Sequence, residues 1–446
     1  MRIERHDIEG WREYQKRIQR INRRKYLLHR LPIFGICVVS VFLAGVVIFY
    51  GSSLLLANLR RNKPLLPEEK RVSTESTPQR LERMDLPDLL KNIDQWVPPE
   101  RGKYLVKKGD TKYFIETFID PNLQEYVLAL LERSLTFKAA VVVLRPQNGQ
   151  ILAMANYEKD TNRHKENICI KADFPAASLF KIISAAAAIE EKGFTPDTPV
   201  LFHGRKHTLY KSQLKEIKSR FSIKTNFKKA FSGSINPVFG KLGIYSLGKE
   251  FLTEYADRFF FNKAIPFDLP LAVSRFHVPE DDFGLAEIAS GFNKKSLISP
   301  VHAALLAAAI VNEGVIMDPK LVNKVTDESG KPLYVAKYTK MGHIIKESPA
   351  DKLKVLMEDT VKSGTCRKAF TPLIRKKIFK NMEIGAKTGT INDPTDQYKI
   401  DWITAYAFPP NNGEGICISV LAVHEEKLGI RSNDLARHII HYYFSS

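Results

Sequence analysis

Ser178 and Lys181 stand three residues apart in the string SLFK, directly ahead of the apolar run IISAAAAI. On a helix, positions i and i+3 share one face, so the lysine amine can reach the serine hydroxyl. A serine hydroxyl is a weak nucleophile until a neighbouring base takes its proton. A lysine supplies that base when burial or nearby positive charge lowers its pKa. The spacing, at the start of a helix that must be buried, points to acyl transfer through a serine.

The same pattern, S-x-x-K, occurs three times: Ser178 with Lys181, Ser212 with Lys215, and Ser246 with Lys249. A short motif is only a hypothesis until its context is known. Ser212 lies in the charged stretch YKSQLKEIKSR, with no apolar helix behind it. Ser246 is followed by Gly248, a poor residue for a helix interior. Only Ser178 is followed by small and aliphatic residues that bury a helix, and Pro175, Ala176 and Ala177 ahead of it suit a turn into that helix.

Two further strings carry chemistry. One is Ser234, Ile235 and Asn236, within FKKAFSGSINPVFGKLG. The other is Lys387, Thr388, Gly389 and Thr390, inside the strand-like run EIGAKTGTI. Each has a bland alternative. Ser234 and Asn236 are good helix caps, Lys387 could be a solvated strand lysine, and Gly389 a bulge glycine. Those alternatives are independent, and all must hold together to remove the constellation.

The elements that must position these residues emerge from periodicity. Residues 60–102 are rich in Pro, Arg, Lys and Glu, with Ser and Thr, and read as a tether. Within it, LPDLLKNIDQWV reads as a short amphipathic helix able to dock. YLVKKGDTKYFIETFI reads as a hairpin around Gly109, and PNLQEYVLALLERSL as a helix. KAAVVVLRP and GQILAMANY form a second hairpin with Asn148 and Gly149 at its turn. Residues 192–330 are mostly helical by pattern, with loops at FTPDTPVLFHGRKH and between Pro266 and Pro279. The end turns to strand again in EIGAKTGTI, DWITAYAFPP and GICISVLAVHE, and SNDLARHIIHYYF closes as a helix. Strands at both ends with helices between predict an α/β fold: a mainly antiparallel sheet flanked by helices, with a helical subdomain inserted in the middle.

The segment from Ile33 to Leu59 carries no charge and is long enough to span a bilayer. The first 31 residues hold ten Lys/Arg and four Asp/Glu, a net of +6. The positive-inside rule then keeps the N-terminus in the cytoplasm and exports the chain beyond Leu59. A cleavable signal peptide would have a shorter apolar region and a small-residue cleavage site, and LLLANLRRNK offers none. The expectation is an uncleaved, single-pass anchor over 32–59, with a cytoplasmic tail over 1–31 and a tether over 60–112. Of the formal net charge of +19, +13 falls after residue 31, which favours anionic surfaces. The basic residues form no stripe interleaved with aromatics, so nucleic acid is not a predicted partner. The spacing of Cys and His predicts no metal site, and no cofactor is expected. Cys417, in ICISVLAV, reads as a buried strand residue; the pairing of Cys169 and Cys366 stays open.

The set S-x-x-K, Ser-x-Asn and K-T-G, in this order and at wide spacing, resembles that of penicillin-binding proteins and serine β-lactamases. The likeness extends to FIDPNLQEYVLALL with AAVVVLRPQNGQILAMAN, to SLISPVHAALLAAAIVNEGVIMDPKLV, and to SGTCRKAF. It covers residues 113–446 and resembles a penicillin-binding transpeptidase domain. The resemblance implies that Ser178 attacks a D-Ala–D-Ala carbonyl and Lys181 accepts its proton. Ser234 passes the proton on towards the leaving amine. Lys387 lowers the Lys181 pKa and attracts the substrate carboxylate. Asn236 holds the substrate's peptide group, and Gly389 lets its backbone lie along the strand. Thr388 and Thr390 offer hydroxyls to the carboxylate, and the N–H groups of Ser178 and Thr390 form the oxyanion hole.

The resemblance also implies partners: peptidoglycan stem peptides, β-lactam antibiotics and a separate glycan polymerase, to which the apolar span adds the inner membrane. A membrane anchor with a tether favours a transpeptidase cross-linking stem peptides in the periplasm. The alternatives are a D,D-carboxypeptidase, a β-lactamase, and a penicillin-binding sensor or pseudoenzyme. No glycosyltransferase-like region precedes the domain, and the stretch before residue 113 is too short for a pedestal domain. Both features set it apart from the better-known relatives.

Overall fold

Unbroken, β-branched runs such as AAVVVL and ICISVLAV suit strands covered on both faces. In the computed structural model they are. It describes residues 80–445, apart from 94, 98, 100–101, 160–165, 217–220 and 411–412. The expected basic tail, the apolar span over 32–59 and the tether up to residue 79 lie outside the described residues. Among the described residues no helix is long and apolar enough to cross a membrane.

The described chain opens with helix α1 (Leu86–Leu90), strands β1 (Tyr104–Lys108) and β2 (Thr111–Thr117), and helix α2 (Pro121–Glu132). Strands β3 (Lys138–Leu144) and β4 (Ile151–Glu158) come next. A helical region holds α3 (Lys181–Lys192), α4 (Phe227–Ser232), α5 (Asn236–Lys241), α6 (Asp282–Ser290) and α7 (Pro300–Val311). Strands β5 (Val322–Thr326) and β6 (Pro332–Val335) precede α8 (Glu347–Lys362) and α9 (Arg367–Ile374). Strands β7 (Glu383–Asn392), β8 (Lys399–Phe408) and β9 (Ile416–His424) lead into α10 (Ser432–Ser445).

The main sheet has the order β7-β8-β9-β3-β4 and is antiparallel throughout. The two distant ends of the sequence meet at its middle, where β9 pairs with β3. Its edges are β4 and β7, so the KTGT strand has one unpaired side. One face packs Val142, Trp402 and Tyr406 with α3 and α7. The other packs Val141, Ile403 and Ala405 with Leu435 and Ile439 of α10. This is the α/β fold expected from the alternation of strands and helices.

Two local readings change. Pro199–Phe202, expected in a loop, is a strand paired with Ile223–Asn226. Residues 322–326, expected within the helical stretch, form β5, because β2 offers an edge that pairs with it. The resulting small sheet, β1-β2-β5-β6, includes the hairpin around Gly109, whose φ is +61°.

The segment before that hairpin is stitched to the body by Arg83. Its Nε donates to Asp268 Oδ1 at 2.9 Å and its Nη1 to Asp318 Oδ1 at 2.7 Å. Asp268 is fully buried, and its Oδ2 also accepts from the N–H groups of Leu321 and Val322. Leu86, Leu89 and Leu90 of α1 join the main core. Arg83→Ala should leave the buried Asp268 without its cation, while Asp318 keeps Lys320, and destabilise the chain by about 3 kcal/mol. Urea unfolding monitored by fluorescence checks this, and an unchanged midpoint contradicts the clamp.

Candidate active site

Ser178 sits on a 3-10 turn, Ala177–Phe180, and Lys181 begins α3. The expectation of one continuous helix from Ser178 is thus half right. The turn is tightened because Ala177 adopts φ +48°, a left-handed conformation that costs an alanine energy. The neighbouring chain holds it there. Gly291 approaches so closely that an added Cβ would sit 2.0 Å from the Ala177 carbonyl oxygen. Buried α3 behind the turn makes the base rigid, with Ile182, Ile183 and four alanines fully enclosed.

Lys181 is completely buried, and its Nζ has three partners. They are Ser178 Oγ at 2.8 Å, Asn236 Oδ1 at 2.8 Å and the Ser290 carbonyl at 2.5 Å. Burial first, and the nearby charge of Lys387 second, push its pKa well below the ordinary lysine value. A neutral amine has two N–H donors and one lone pair. Asn236 Oδ1 and Ser290 O can only accept, so they take both donors. The lone pair then faces Ser178 Oγ and can receive its proton.

Lys387 is also completely buried, and burial lowers its pKa to about 7. Its Nζ donates to Ser234 Oγ at 3.1 Å and to the Thr388 carbonyl at 2.8 Å. Ser234, at φ +51°, turns the chain between α4 and α5 so that its hydroxyl meets Lys387. Phenylalanine rings stand beneath both amines, Phe239 under Lys181 and Phe231 under Lys387, each 5.5 Å from centroid to nitrogen. Such rings exclude water from the amines, and their faces attract whichever amine carries charge.

All eight residues picked from the sequence converge here. Gly389 brings β7 against the Ser178 turn: a Cβ at that position would lie 3.1 Å from Ala177 Cβ and 3.2 Å from Ser178 N. Thr388 Oγ1 lies 2.7 Å from Thr365 Oγ1. Thr390 Oγ1 donates to Asp401 Oδ1 at 3.0 Å. Asn236 spends its amide within the protein, accepting from Lys181 and donating to the His207 carbonyl at 3.1 Å. The other two S-x-x-K pairs stay apart from the site, with Lys215 and Lys249 exposed.

Several contributors had no signal of their own in the sequence. His207 is one: burial and the charges of Lys181, Lys387 and Lys206 hold its imidazole below the usual range, opposed by a bond to the Ser234 backbone. Asp359 is another. It accepts from Ser232 Oγ at 2.5 Å and Lys229 Nζ at 2.8 Å, and ties α8 to the turn bearing Ser234. Burial pushes its carboxyl up, but those bonds outweigh burial and hold it low. Cys169, Cys366 and Cys417 are buried free thiols.

A serine with a buried lysine amine beside it, and a second serine on a second buried lysine, lie together at the open edge of an antiparallel sheet, an arrangement whose chemistry suits acyl transfer through the first serine. The description "Penicillin binding protein transpeptidase domain" matches residues 139–441. The chain belongs to this family. It is similar to stage V sporulation protein D of Bacillus subtilis, 24% identical over 68% of this chain and 46% of that protein. It is also 24% identical to the peptidoglycan D,D-transpeptidase PbpA of Mycobacterium tuberculosis, over 69% of this chain and 66% of that one. The chain spans about half the length of the first of these relatives. Among solved structures, it resembles the imipenem acyl-enzyme of penicillin-binding protein A from M. tuberculosis, with TM-score 0.60 and 22% identity. That match covers 74% of this chain and 79% of the other. The D,D-transpeptidase domain of a peptidoglycan glycosyltransferase from Eggerthella lenta matches with TM-score 0.59 and 21% identity, over 74% and 82% of the two chains.

The two amines set a pH profile. Acylation needs Lys181 neutral, so its rate should rise with pH as Lys181 loses its proton. Lys387 keeps its charge below its pKa and loses it above, so the rate should fall again through about pH 7. Rate constants for a penicillin measured from about pH 5 to 10 check this, and a falling limb only near the ordinary lysine value of about 10 contradicts the burial of Lys387.

Proposed function

We propose that the chain is a D,D-transpeptidase that cross-links peptidoglycan stem peptides through an acyl-enzyme on Ser178, and that β-lactams acylate the same serine. The observation that carries this reading is the buried Lys181 amine, 2.8 Å from Ser178 Oγ, with its two remaining partners both acceptors. Ser178 Oγ forms a bond to the carbonyl carbon of the penultimate D-Ala as its proton passes to Lys181 Nζ. The N–H groups of Ser178 and Thr390 stabilise the oxyanion. The peptide bond to the terminal D-Ala then breaks, and the proton held by Lys181 passes through the Ser234 hydroxyl to the departing amine, which returns Lys181 to its neutral form and leaves Ser234 protonated. Ser234 is kept in register by Lys387. An amine from a neighbouring stem then attacks the acyl-enzyme, its proton passes to Lys181 and on to Ser178 Oγ, and the ester bond to Ser178 breaks. The donor peptide lies along the unpaired side of β7 as an added strand, where Gly389 leaves room for it.

The anchor completes the proposal. Residues 1–31 stay in the cytoplasm, 32–59 cross the inner membrane, 60–112 lead away from it, and 113–446 work in the periplasm. The apolar span, the basic residues before it and the site of wall synthesis support this arrangement. A separate polymerase supplies the glycan strands.

Incubation of the purified chain with a fluorescent penicillin should give a covalent label on the wild type and none on Ser178→Ala. Equal labelling of both proteins sinks the nucleophile assignment. With a D-Ala–D-Ala peptide and an acceptor amine, a cross-linked product is expected. Hydrolysed peptide alone would mark a carboxypeptidase, rapid release of penicilloate a β-lactamase, and a stable label without turnover a sensor.

A further inference from the structure

The loop over residues 203–208 is exposed at its tip, yet it is fastened on both sides. Gln213, which is buried, donates to the carbonyls of His203 at 2.9 Å and Arg205 at 3.2 Å. Its Oε1 accepts from Thr208 Oγ1 at 3.1 Å. Gly204, at φ +71°, comes so close that an added Cβ would sit 2.8 Å from Gln213 Nε2. The other side is held by the first residue of α5. Asn236 donates its N–H to the Lys206 carbonyl at 2.7 Å and its side-chain amide to the His207 carbonyl at 3.1 Å. Exposed loops are ordinarily mobile. These bonds fix the place of one imidazole beside Ser234.

That imidazole belongs to His207. One of its ring nitrogens bonds the Ser234 backbone, a bond that raises its pKa, so that nitrogen carries the hydrogen and donates it to the carbonyl. Lys181, Lys387 and Lys206 lie close enough for their charges to bear on the ring. Burial first, and these cations with it, outweigh the Ser234 bond and keep the ring neutral at neutral pH. The second nitrogen then presents a lone pair. Among the described residues it has no hydrogen-bond partner.

The traffic of protons at Ser234 brings that lone pair a partner. In acylation the departing D-Ala nitrogen takes its new proton from the Ser234 hydroxyl. In transfer the acceptor amine retraces the same path, by microscopic reversibility. Both nitrogens therefore stand at Ser234. Each also bears a spectator N–H, already present on the departing nitrogen and kept in the new amide. As the tetrahedral nitrogen takes up its proton, the spectator N–H gains positive charge and needs an acceptor. Ser234 Oγ is occupied by the moving proton and by Lys387 Nζ, and the lysines themselves are donors.

We infer that His207 is a further catalytic residue: its free ring nitrogen accepts a hydrogen bond from the spectator N–H of the departing D-Ala amine, and of the acceptor amine in transfer, and so holds that nitrogen in line with the acyl carbon. His207 takes no proton and gives none, so the proton balance of acylation and transfer is unchanged. The inference rests on the acyltransferase reading of the site. It also separates two kinds of substrate, since a β-lactam ring nitrogen carries no hydrogen and has nothing to donate to His207.

The test uses two donors on the full chain. One peptide ends in D-Ala–D-Ala; the other is identical but ends in D-Ala–D-lactate, with an ester oxygen in place of the scissile N–H. With enzyme in excess, release of D-alanine or D-lactate reports acylation, and the readout is the amide-to-ester ratio of rate constants. His207→Leu should lower this ratio about tenfold, the worth of one hydrogen bond to a group gaining charge. His207→Gln, whose amide oxygen can accept in place of the imidazole, should recover part of it. In acid the wild-type ratio should fall more steeply than that of His207→Leu, because protonation removes the imidazole lone pair. Lys181, Lys387 and Lys206, the other titrating groups that face the ring, remain in His207→Leu, so the difference between the two curves belongs to His207. A ratio unmoved in His207→Leu, a ratio as low in His207→Gln as in His207→Leu, or matching acid limbs overturn the inference. Misfolding slows both donors and shows in the melting temperature, so the ratio separates it from a lost contact. A wild type acylated by neither donor overturns the acyltransferase reading itself; one acylated by both, with a ratio that His207→Leu does not move, removes the role of His207 alone.

Discussion

Two lysines share one dry pocket, and the whole site depends on what that forbids. Lys181 and Lys387 are both completely buried, with aromatic rings beneath them. Two ammonium groups cannot both keep their charge at close range in a medium of low dielectric. One must yield its proton, and their titrations belong to the pair. Burial and the charge of Lys387 both push Lys181 down, so Lys181 is the one that yields. Lys181 faces two acceptor-only oxygens and a hydroxyl, a set that a neutral amine satisfies completely. Lys387 bonds a carbonyl and a hydroxyl and sits on the strand at the open edge of the sheet. The repulsion thus makes a base of one lysine and leaves the cation to the other.

Keeping two lysines dry requires close approach between parts of the chain that are far apart in sequence. That approach is made by backbone. Gly389 presses β7 on the Ser178 turn, Gly291 presses the end of α6 on Ala177, and Gly364 presses the α8–α9 turn on Ser232. Ala177 and Ser234 stand at positive φ between these contacts. Neither conformation is favourable alone. Each is held by a fully buried helix or a five-stranded sheet, elements too cooperative to yield to one unfavourable dihedral.

What is legible in the sequence is whatever the chain states locally. SLFK before an apolar helix, SIN before α5 and KTGT inside an apolar strand each carry their own context. The sheet can be read from long runs of β-branched and aliphatic residues at the two ends. The 3-10 turn under Ser178 is not legible, because it arises from pressure by Gly291 and β7 and not from Ala177 itself. Strand β5 escapes for a similar reason: VNKVT becomes a strand by meeting the edge of β2. Ser290 contributes only a carbonyl, which no side-chain pattern reveals. Asp401 and Arg431 sit thirty residues apart in unremarkable strings, and only the pairing of β7 with β8 makes them neighbours of Thr390.

That last pair explains how an edge strand can receive a peptide without first deforming. An unpaired strand edge tends to twist or to recruit the wrong partner. Here β7 is fixed on its face instead. Asp401 ties Thr390 to Arg431 and to the first N–H of α10, so the N-terminus of a long helix stands over the strand. The helix dipole favours a carboxylate at that point. A buried aspartate beside a site for anions would ordinarily repel them. With Arg431 bonded to both its oxygens the pair is neutral overall, so it stiffens the strand and adds no net charge to it. The backbone of β7 is then free to bind by shape and hydrogen bonds, and discrimination by charge is left to Lys387 and the hydroxyls beside it.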